Sequence, residues 1–297
     1  MVLKKSATYI FGMNSIYLGN NYLWISFESL ILPYIISLYI AKSLQGITLG
    51  IVGFSGIIIG ISFNYLSGFF SDKTMTPIGK RTPFIIIGSL LSLSSLILML
   101  FDYFYIYMVI ALYIAIEIGS NIAYGAYQPL IRDIIPENQR GKSSGINGFF
   151  TLIGTAMGFG ISGFLINYGM LRLAVFIIII AVLFSTTSTV VTIRNDDFNL
   201  EKSDVKFRFY KEFKWFFISN FLIISGSSGL TFFEYYYIKF SLGIKNAAIF
   251  VAIAGLIILI VSAIASIFIG IVSDKINKLN LLIFSLFLVV PQYFFYH

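Results

Sequence analysis

The chain has 297 residues, of which 58% are hydrophobic and 11% charged, with a mean hydropathy of +0.91 and a formal net charge of +7. Soluble domains carry about 25% charged residues, so this composition excludes a soluble protein and predicts an all-α polytopic membrane protein. The cations lie in short segments between apolar stretches, which argues against nucleic acid as a partner, and the lack of cysteine excludes disulfides and thiolate metal sites within the chain.

Apolar stretches predict nine membrane-spanning helices. A helix needs about 20 residues to cross a hydrocarbon core roughly 30 Å thick. In chain order, the predicted spans are 17–39, 48–70, 83–101, 104–130, 144–166, 173–193, 215–238, 247–272 and 281–295. No cleavable signal is evident, because the first span lacks a small-residue cleavage site and is long enough to be an anchor.

Lysine and arginine are distributed unequally between the two sides of these spans. Sixteen of the 20 cations fall on the side of the N-terminus, and four fall on the other. Those four are Lys42, Arg172, Lys239 and Lys245. Because cytoplasmic loops are rich in Lys and Arg, we expect a multi-pass protein of the cell membrane with a cytoplasmic N-terminus.

A charged segment divides the predicted spans into six and three. The expected organisation is an N-terminal six-helix bundle over 1–193, a cytoplasmic linker over 194–214 and a partial second bundle of three helices over 215–297. The motif GFFSDK at 68–73 recurs 202 residues later as GIVSDK at 270–275. Two halves built alike indicate a solute carrier with a pathway between them.

Polar residues in span four recur at intervals of four, three and four residues. They are Glu117, Asn121, Tyr124 and Gln128, and this spacing places them on one face of a helix. A charged acid near the bilayer centre costs roughly 2.5–3.5 kcal/mol, so this face should line a cavity. We therefore expect these four residues to bind the substrate or a coupling ion.

Span one shows a similar pattern at heptad spacing. Asn14, Asn21 and Glu28 recur every seven residues, and Trp24 lies one turn before Glu28. Span seven adds Glu234 near its outer end. Asn21, Trp24, Glu28 and Glu234 complete the set of candidate substrate or coupling residues. Each acid could instead be a protonated group that hydrogen-bonds between helices.

The acids suggest coupling to H⁺ or Na⁺, because a low dielectric makes the charge of a carboxyl depend on what else is bound. No cofactor and no resident metal are expected. Trp24, Tyr124 and Tyr127 could stack on sugar faces, although many aromatic residues of this chain must pack or face lipid. A membrane-embedded enzyme is disfavoured, because no His-Glu metal motif or activated nucleophile is present. The pattern indicates that Asp196-Asp197 is an isolated pair in a charged linker.

Small residues recur along two spans. In span two they are Gly53, Gly56, Gly60, Asn64 and Gly68. In span five they are Gly154, Gly158 and Ser162. Such spacing lets helix backbones approach closely, and the pattern predicts close packing or a sliding interface.

Three segments carry a resemblance to a known family. Residues 71–84 read SDKTMTPIGKRTPF, Trp24 lies nine residues before Pro33-Tyr34, and residues 131–145 read IRDIIPENQRGKSSG. These segments resemble the major facilitator superfamily, and within it the glycoside-pentoside-hexuronide and sucrose symporters. The family pattern has an S-D-R core, G-R-R and P-F in the first segment, from which Lys73, Lys80 and Thr82 depart.

The resemblance implies a cation-coupled sugar or glycoside symporter that works by alternating access. We expect the protein to act as a monomer, although the sequence does not determine its oligomeric state. The predicted gate consists of Asp72, Lys80, Arg81, Asp133, Arg140 and Asp274. Asp72 would reach the cations or a neighbouring helix end and hold the inner side closed. A cluster that only sets topology would explain the cations equally well, but not the acid.

Family members have twelve spans, whereas nine are predicted here. We therefore expect a chain that is short at its C-terminal end. Two alternatives stay open: a transporter of another class of small molecule, and a non-transporting membrane protein derived from a carrier, either truncated or sensor-like.

Overall fold

A computed structural model describes residues 4–101, 105–198 and 213–273. The described residues are largely helical. They contain no β-strand, only an isolated antiparallel bridge between Thr76 and Gly79. The predicted all-α fold is therefore confirmed for this part of the chain. The ninth predicted span, Asp274 and residues 199–212 of the predicted linker lie outside the described residues.

The described helices follow the predicted spans in order. They are α1 Ala7–Tyr39, α2 Lys42–Lys73, α3 Thr82–Leu98, α4 Ile106–Tyr127, α5 Glu137–Asn167, α6 Leu171–Phe198, α7 Phe213–Tyr236 and α8 Ala247–Ser273. A short helix, Leu130–Ile134, follows α4. Among the described residues, five helices are long and apolar enough to cross a membrane: α1, α2, α4 with its short extension, α5 and α6. Shorter apolar helices are Thr82–Leu98 and Ala247–Ser262.

Four helices, α1, α2, α5 and α6, extend well beyond their predicted bounds, because hydropathy marks the hydrocarbon core rather than the helix end. α1 begins at Ala7, where the hydroxyl of Ser6 accepts a hydrogen bond from the backbone N–H of Tyr9 at 3.1 Å. α5 begins at Glu137 directly after a proline, with an acid in its first turn. α6 continues past Ile193 to Phe198. The predicted division at residues 193 and 215 stays a prediction.

The helices of the compact unit Met1–Ile253 pack around α1 and α4. α1 packs against α5 and α6, α3 lies against both α4 and α6, and α2 packs along α4. α7 contacts α1 and α2. One part of the core is a cluster of buried side chains from α1, α3, α4, α5 and α6, including Ile10, Met13, Tyr127 and Phe150. This packing places α1 and α4 next to each other. The described residues from Ala254 to Ser273 belong to a second compact unit.

The small residues of α2 and α5 allow close approach to neighbouring helices. A Cβ atom added at Gly56 would lie 2.6 Å from the hydroxyl of Tyr113 on α4. One added at Gly154 would lie 2.5 Å from the carbonyl oxygen of Leu18 on α1. Real Cβ atoms do not tolerate such distances, so the predicted close packing is confirmed at both positions.

Three π-helical turns interrupt the regular hydrogen bonding. They are Phe27–Ile31 in α1, Gly158–Ser162 in α5 and Tyr237–Ser241 directly after α7. In α1 the N–H of Leu32 donates to the carbonyl of Phe27, five residues earlier. Pro33 has no N–H and cannot bond to the carbonyl of Ser29, so a wider turn at this point accommodates it. The first π turn contains Glu28.

Candidate functional site

Polar side chains gather in two places. The first, which we call the central cluster, consists of Trp24, Glu28, Glu117, Ser120, Asn121 and Tyr124 on α1 and α4. The second, which we call the charged cluster, consists of Asp72, Lys80, Arg81 and Asp133 at the end of the molecule where α2 stops and α3 starts.

Glu117 is buried in the central cluster and pairs with a neutral amide. Asn121 lies one turn later on α4, and its Nδ2 donates to Glu117 Oε2 at 3.2 Å and to the Glu117 backbone oxygen at 3.0 Å. The carboxyl lies against the backbone of α2, because a Cβ atom at Gly60 would be 3.2 Å from Oε2. Within the described residues, no lysine, arginine or histidine forms a salt bridge with this acid.

Aromatic side chains connect α1 with α4 beside this acid. The indole Nε1 of Trp24 donates to the hydroxyl of Ser120 at 3.2 Å. The Trp24 ring meets Tyr124 edge to face, with ring centroids 5.2 Å apart, and Tyr17 meets Tyr124 in the same way at 5.6 Å. The structure therefore places Trp24 next to Tyr124, two residues that the sequence marked on different spans.

The other two acids lie nearby on α1 and α7. Glu28 is half-buried in the π turn of α1. Glu234 is half-buried on α7, which packs against that same π turn. Within the described residues, no hydrogen bond or salt bridge joins Glu28, Glu117 and Glu234 to one another.

Three other sequence candidates lie away from the central cluster. Asn21 donates to the Tyr17 carbonyl oxygen at 2.8 Å and lies beside Gly154 of α5. Gln128 is exposed at the end of α4. Tyr127 is 0% exposed, and its hydroxyl donates to Asn14 Oδ1 at 3.0 Å, so its ring has no free face for a ligand in this conformation.

Arg81 is the centre of the charged cluster and is only 1% exposed. One terminal nitrogen, Nη2, contacts Asp72 at 2.7 Å and Asp133 at 2.6 Å. The other, Nη1, lies 3.4 Å from the hydroxyl of Ser71 and 3.5 Å from the carbonyl oxygen of Ala126. Arg81 therefore joins the start of α3 to the end of α2 and to the short helix after α4.

The remaining gate candidates behave differently. Lys80 reaches Asp72 at 3.4 Å and belongs to the charged cluster. Arg140 instead donates to the backbone oxygens of Ile135 at 3.4 Å and Arg132 at 3.1 Å. Its contacts hold the turn between the short helix and α5 and do not include the acids of the gate. Asp274 lies outside the described residues.

The interpretation of Asp196-Asp197 as an isolated pair is wrong. Both residues lie in the last turns of α6, and Asp197 is 0% exposed. Its carboxylate accepts hydrogen bonds from the backbone N–H groups of Arg81 and Thr82, while Asp196 pairs with Lys5. Sequence reasoning missed these contacts because the apolar pattern ends at Ile193, although a helix continues into the two acids.

Sequence reasoning also missed Ser71, Tyr113 and Ser120. Ser71 precedes Asp72 in the SDK motif, so its position next to the gate could have been noticed. Ser120 lies one helical turn after Glu117, between two members of the predicted stripe, but a single serine in an apolar helix carries little signal. Among the described residues, no group of three acidic, histidine or cysteine side chains could hold a metal ion.

Comparisons with known proteins agree with this architecture. The family model described as Major Facilitator Superfamily matches residues 17–296. Twenty-two chains of solved structures match, and one is described as the crystal structure of a D-xylose-proton symporter. That structure has a TM-score of 0.58 and 16% sequence identity, and the match covers 89% of this chain and 68% of the other.

Comparison with curated protein sequences gives no significant match. The likeness to the symporter structure, at its low identity, supports the fold. The family model spans nearly the whole chain, and the described helices and buried polar residues fit a carrier. The chain therefore belongs to the major facilitator superfamily and is a multi-pass membrane transporter rather than an enzyme.

Proposed function

We propose that this transporter moves a sugar or glycoside together with a cation, by alternating access across the cell membrane. The observation that carries the proposal is the buried carboxyl of Glu117, which neutral groups hold beside Trp24 and Tyr124. The printed description of the similar structure, a D-xylose-proton symporter, supports this choice of substrate class and coupling. The protein would act as a monomer.

The central cluster offers the two kinds of contact that a sugar needs. The rings of Trp24 and Tyr124 present apolar surface to the C–H face of a pyranose. The amide of Asn121, the hydroxyl of Ser120 and the carboxyl of Glu28 offer hydrogen-bond partners for sugar hydroxyls. Binding sites of this type combine an apolar wall with a few polar groups that fix the orientation of the ligand.

Glu117 is the residue that we assign to coupling. In a low dielectric an uncompensated carboxylate is costly, so the acid gains from holding a proton or a sodium ion. A bound sugar that displaces water or donates a hydrogen bond would change that preference. Two carboxylates in one low-dielectric site repel each other, so a charge on Glu28 would oppose a charge on Glu117.

The proposed gate is the charged cluster, which would close the cytoplasmic side of the pathway. This assignment requires a cytoplasmic N-terminus, as the distribution of Lys and Arg predicts. The single-cysteine variants Lys42→Cys and Lys73→Cys, at the two ends of α2, test the orientation because the chain has no other cysteine. An impermeant thiol reagent should label Lys42→Cys from outside the cell and Lys73→Cys only after permeabilisation. Labelling of both variants from outside would contradict the orientation.

Glu117→Gln tests the coupling role. The amide keeps the shape and most hydrogen bonds but cannot bind a proton. In proteoliposomes, a panel of sugars should first identify a substrate that accumulates under a pH or sodium gradient. The variant should then exchange that substrate across the membrane but lose its accumulation.

Glu137→Gln is the matched control, because Glu137 is an exposed acid in the first turn of α5. It should accumulate substrate like the parent protein. Glu28→Gln should show a milder loss if Glu28 mainly orients the substrate. If Glu117→Gln still concentrates substrate like the parent, Glu117 is a packing residue and the coupling proposal fails. If no sugar in the panel is taken up, the substrate class is wrong.

A further inference from the structure

The end of α6 reaches across to the start of α3 through one buried carboxylate. Asp197 accepts hydrogen bonds from the backbone N–H of Arg81 at 3.0 and 2.9 Å, one to each of its oxygens. The backbone N–H and the hydroxyl of Thr82 both donate to Oδ2 at 2.7 Å. Asp197 is 0% exposed, so water does not compete for these bonds.

The local backbone is shaped to receive this carboxylate. Gly79 has a φ of +117°, and a side chain at this position would collide with the Asp197 carboxylate. The positive end of the α3 helix dipole and two N–H groups at its start face the acid. Within the described residues Asp197 forms no salt bridge, so a helix N-terminus from a different part of the chain stabilises its charge.

The residue that Asp197 binds is also the centre of the charged cluster. The backbone of Arg81 contacts Asp197, and its guanidinium contacts Asp72 and Asp133. Because this hydrogen bond holds the Arg81 backbone, it fixes the position from which the side chain extends. That position determines which acids the guanidinium can contact. The hydrogen bonds of the Asp197 carboxylate go to Arg81 and Thr82, and of these two residues Arg81 is the one that contacts the acids of the gate.

We propose that Asp197 is a positioning residue for the gate, which holds Arg81 in place so that α6 and the gate move together. The proposal rests on the gate assigned to the charged cluster under the proposed function. Asp197 lies just before the segment that leads into the second half of the chain. A shift of α6, transmitted along the chain from that half, would then change the reach of Arg81 toward Asp72 and Asp133.

A cysteine in place of Ser71 can report the position of Arg81. The hydroxyl of Ser71 lies beneath the guanidinium, 3.4 Å from Nη1, and the residue is 0% exposed. The Ser71→Cys reporter should react slowly with a small thiol reagent while Arg81 stays in place. Ser92→Cys is the control reporter, because Ser92 is 1% exposed between α3 and α4, where it bonds to the Ile116 carbonyl.

Asp197→Asn should raise the labelling rate of the Ser71→Cys reporter by about tenfold, the change expected when roughly one charge-assisted hydrogen bond is lost. The rate of the Ser92→Cys reporter should stay within about twofold of the parent, because the helix packing is kept. Asp196→Asn is the matched control: it removes the neighbouring negative charge and the pair with Lys5, and should leave both rates unchanged.

Thr82→Val is a milder second variant that keeps the side-chain shape and removes one donor to Asp197. It should raise labelling of the Ser71→Cys reporter by about threefold, less than Asp197→Asn, because it removes one donor and leaves the carboxylate with its bonds to the two backbone N–H groups. A parallel rise at both reporters in either variant would mean general loosening and would overturn the proposal. Unchanged rates at both reporters would also overturn it. Because labelling needs no transport, a failure of sugar uptake would refute the proposed function while leaving this test intact.

Discussion

The charged cluster and the central cluster both bury ionisable side chains, but they offset the cost of burial in different ways. In the charged cluster, Arg81 is buried with two acids within 2.7 Å, so opposite charges compensate one another. In the central cluster, Glu117 has an amide at 3.2 Å and, within the described residues, no cationic partner. A buried charge with an opposite charge beside it can stay ionised, whereas a buried carboxylate without one gains from binding a proton or a cation. The first arrangement suits a cluster that holds helices together, and the second suits a site whose charge changes during transport.

The largest effect should come from breaking the compensated cluster. Arg81→Gln leaves Asp72 and Asp133 close together without their shared cation, and should lower the free energy of unfolding by about 3 kcal/mol. Thermal unfolding in detergent measures this loss. Arg132→Gln is the control, because Arg132 is 76% exposed and lies 3.6 Å from the same Asp133. It should cost less than about 1 kcal/mol. If the two variants lose equal amounts of unfolding free energy, burial of Arg81 does not increase its contribution to stability.

A smaller effect is expected from crowding the central cluster. Gly60→Ala places a methyl group 2.7 Å from Asn121 Nδ2 and 3.2 Å from Glu117 Oε2. The helices must separate or Asn121 must move, which should cost about 1–3 kcal/mol. Gly46→Ala on the same helix is the control, since its nearest neighbour would be 4.0 Å away, and it should be neutral or stabilising. If both variants unfold at the same temperature, the close approach of α2 to Glu117 is wrong.

The smallest effect concerns a neutral hydrogen bond at the border between the two clusters. Tyr127→Phe removes the donor to Asn14 Oδ1 while keeping the ring, and should cost about 1 kcal/mol. Asn14 is 0% exposed, so water cannot easily replace the lost donor. Tyr168→Phe is the control, because Tyr168 is 61% exposed, and should leave the unfolding temperature unchanged. A loss as large as that of Arg81→Gln would show that the neutral bonds hold the bundle as strongly as the charges.

The sequence predicted the helices well because membrane helices must be long and apolar. Eight predicted spans have described counterparts, and the glycines at positions 56 and 154 make the close contacts expected of them. Hydropathy could not locate helix ends outside the hydrocarbon, which explains why α1, α2, α5 and α6 are longer than predicted. The same limit hid Asp197, since nothing in a linear pattern indicates that its carboxylate caps a helix 115 residues earlier in the chain.

The sequence predicted part of the site, because spacing shows which residues share a helix face but not which neighbouring helix that face contacts. The spacing of Glu117, Asn121 and Tyr124 indicated a common face of α4, and Trp24 lies against Tyr124 in the structure. Spacing alone could not show that the buried carboxyl faces α2, or that Asn21 turns toward α5. Those orientations depend on which neighbouring helix carries a glycine at the same level. The gate motif joined Asp72 with Arg81, but Asp133 meets them only through the packing of α4 and the short helix after it.

The π turn at Phe27–Ile31 has a consequence for the direction of side chains along α1. A π turn contains one residue more than the α turn it replaces, so residues beyond it lie about 100° around the helix from where an uninterrupted α-helix of the same sequence would place them. Trp24 before the turn points toward α4, and Ser37 after it accepts a hydrogen bond from Lys239 at 3.0 Å. Deleting one residue within the turn would restore a regular helix while the side chains on both sides keep their directions, because the wider turn absorbs the extra residue. The π turn therefore determines which side chains of α1 face α4 before it and which face the segment that follows α7 beyond it.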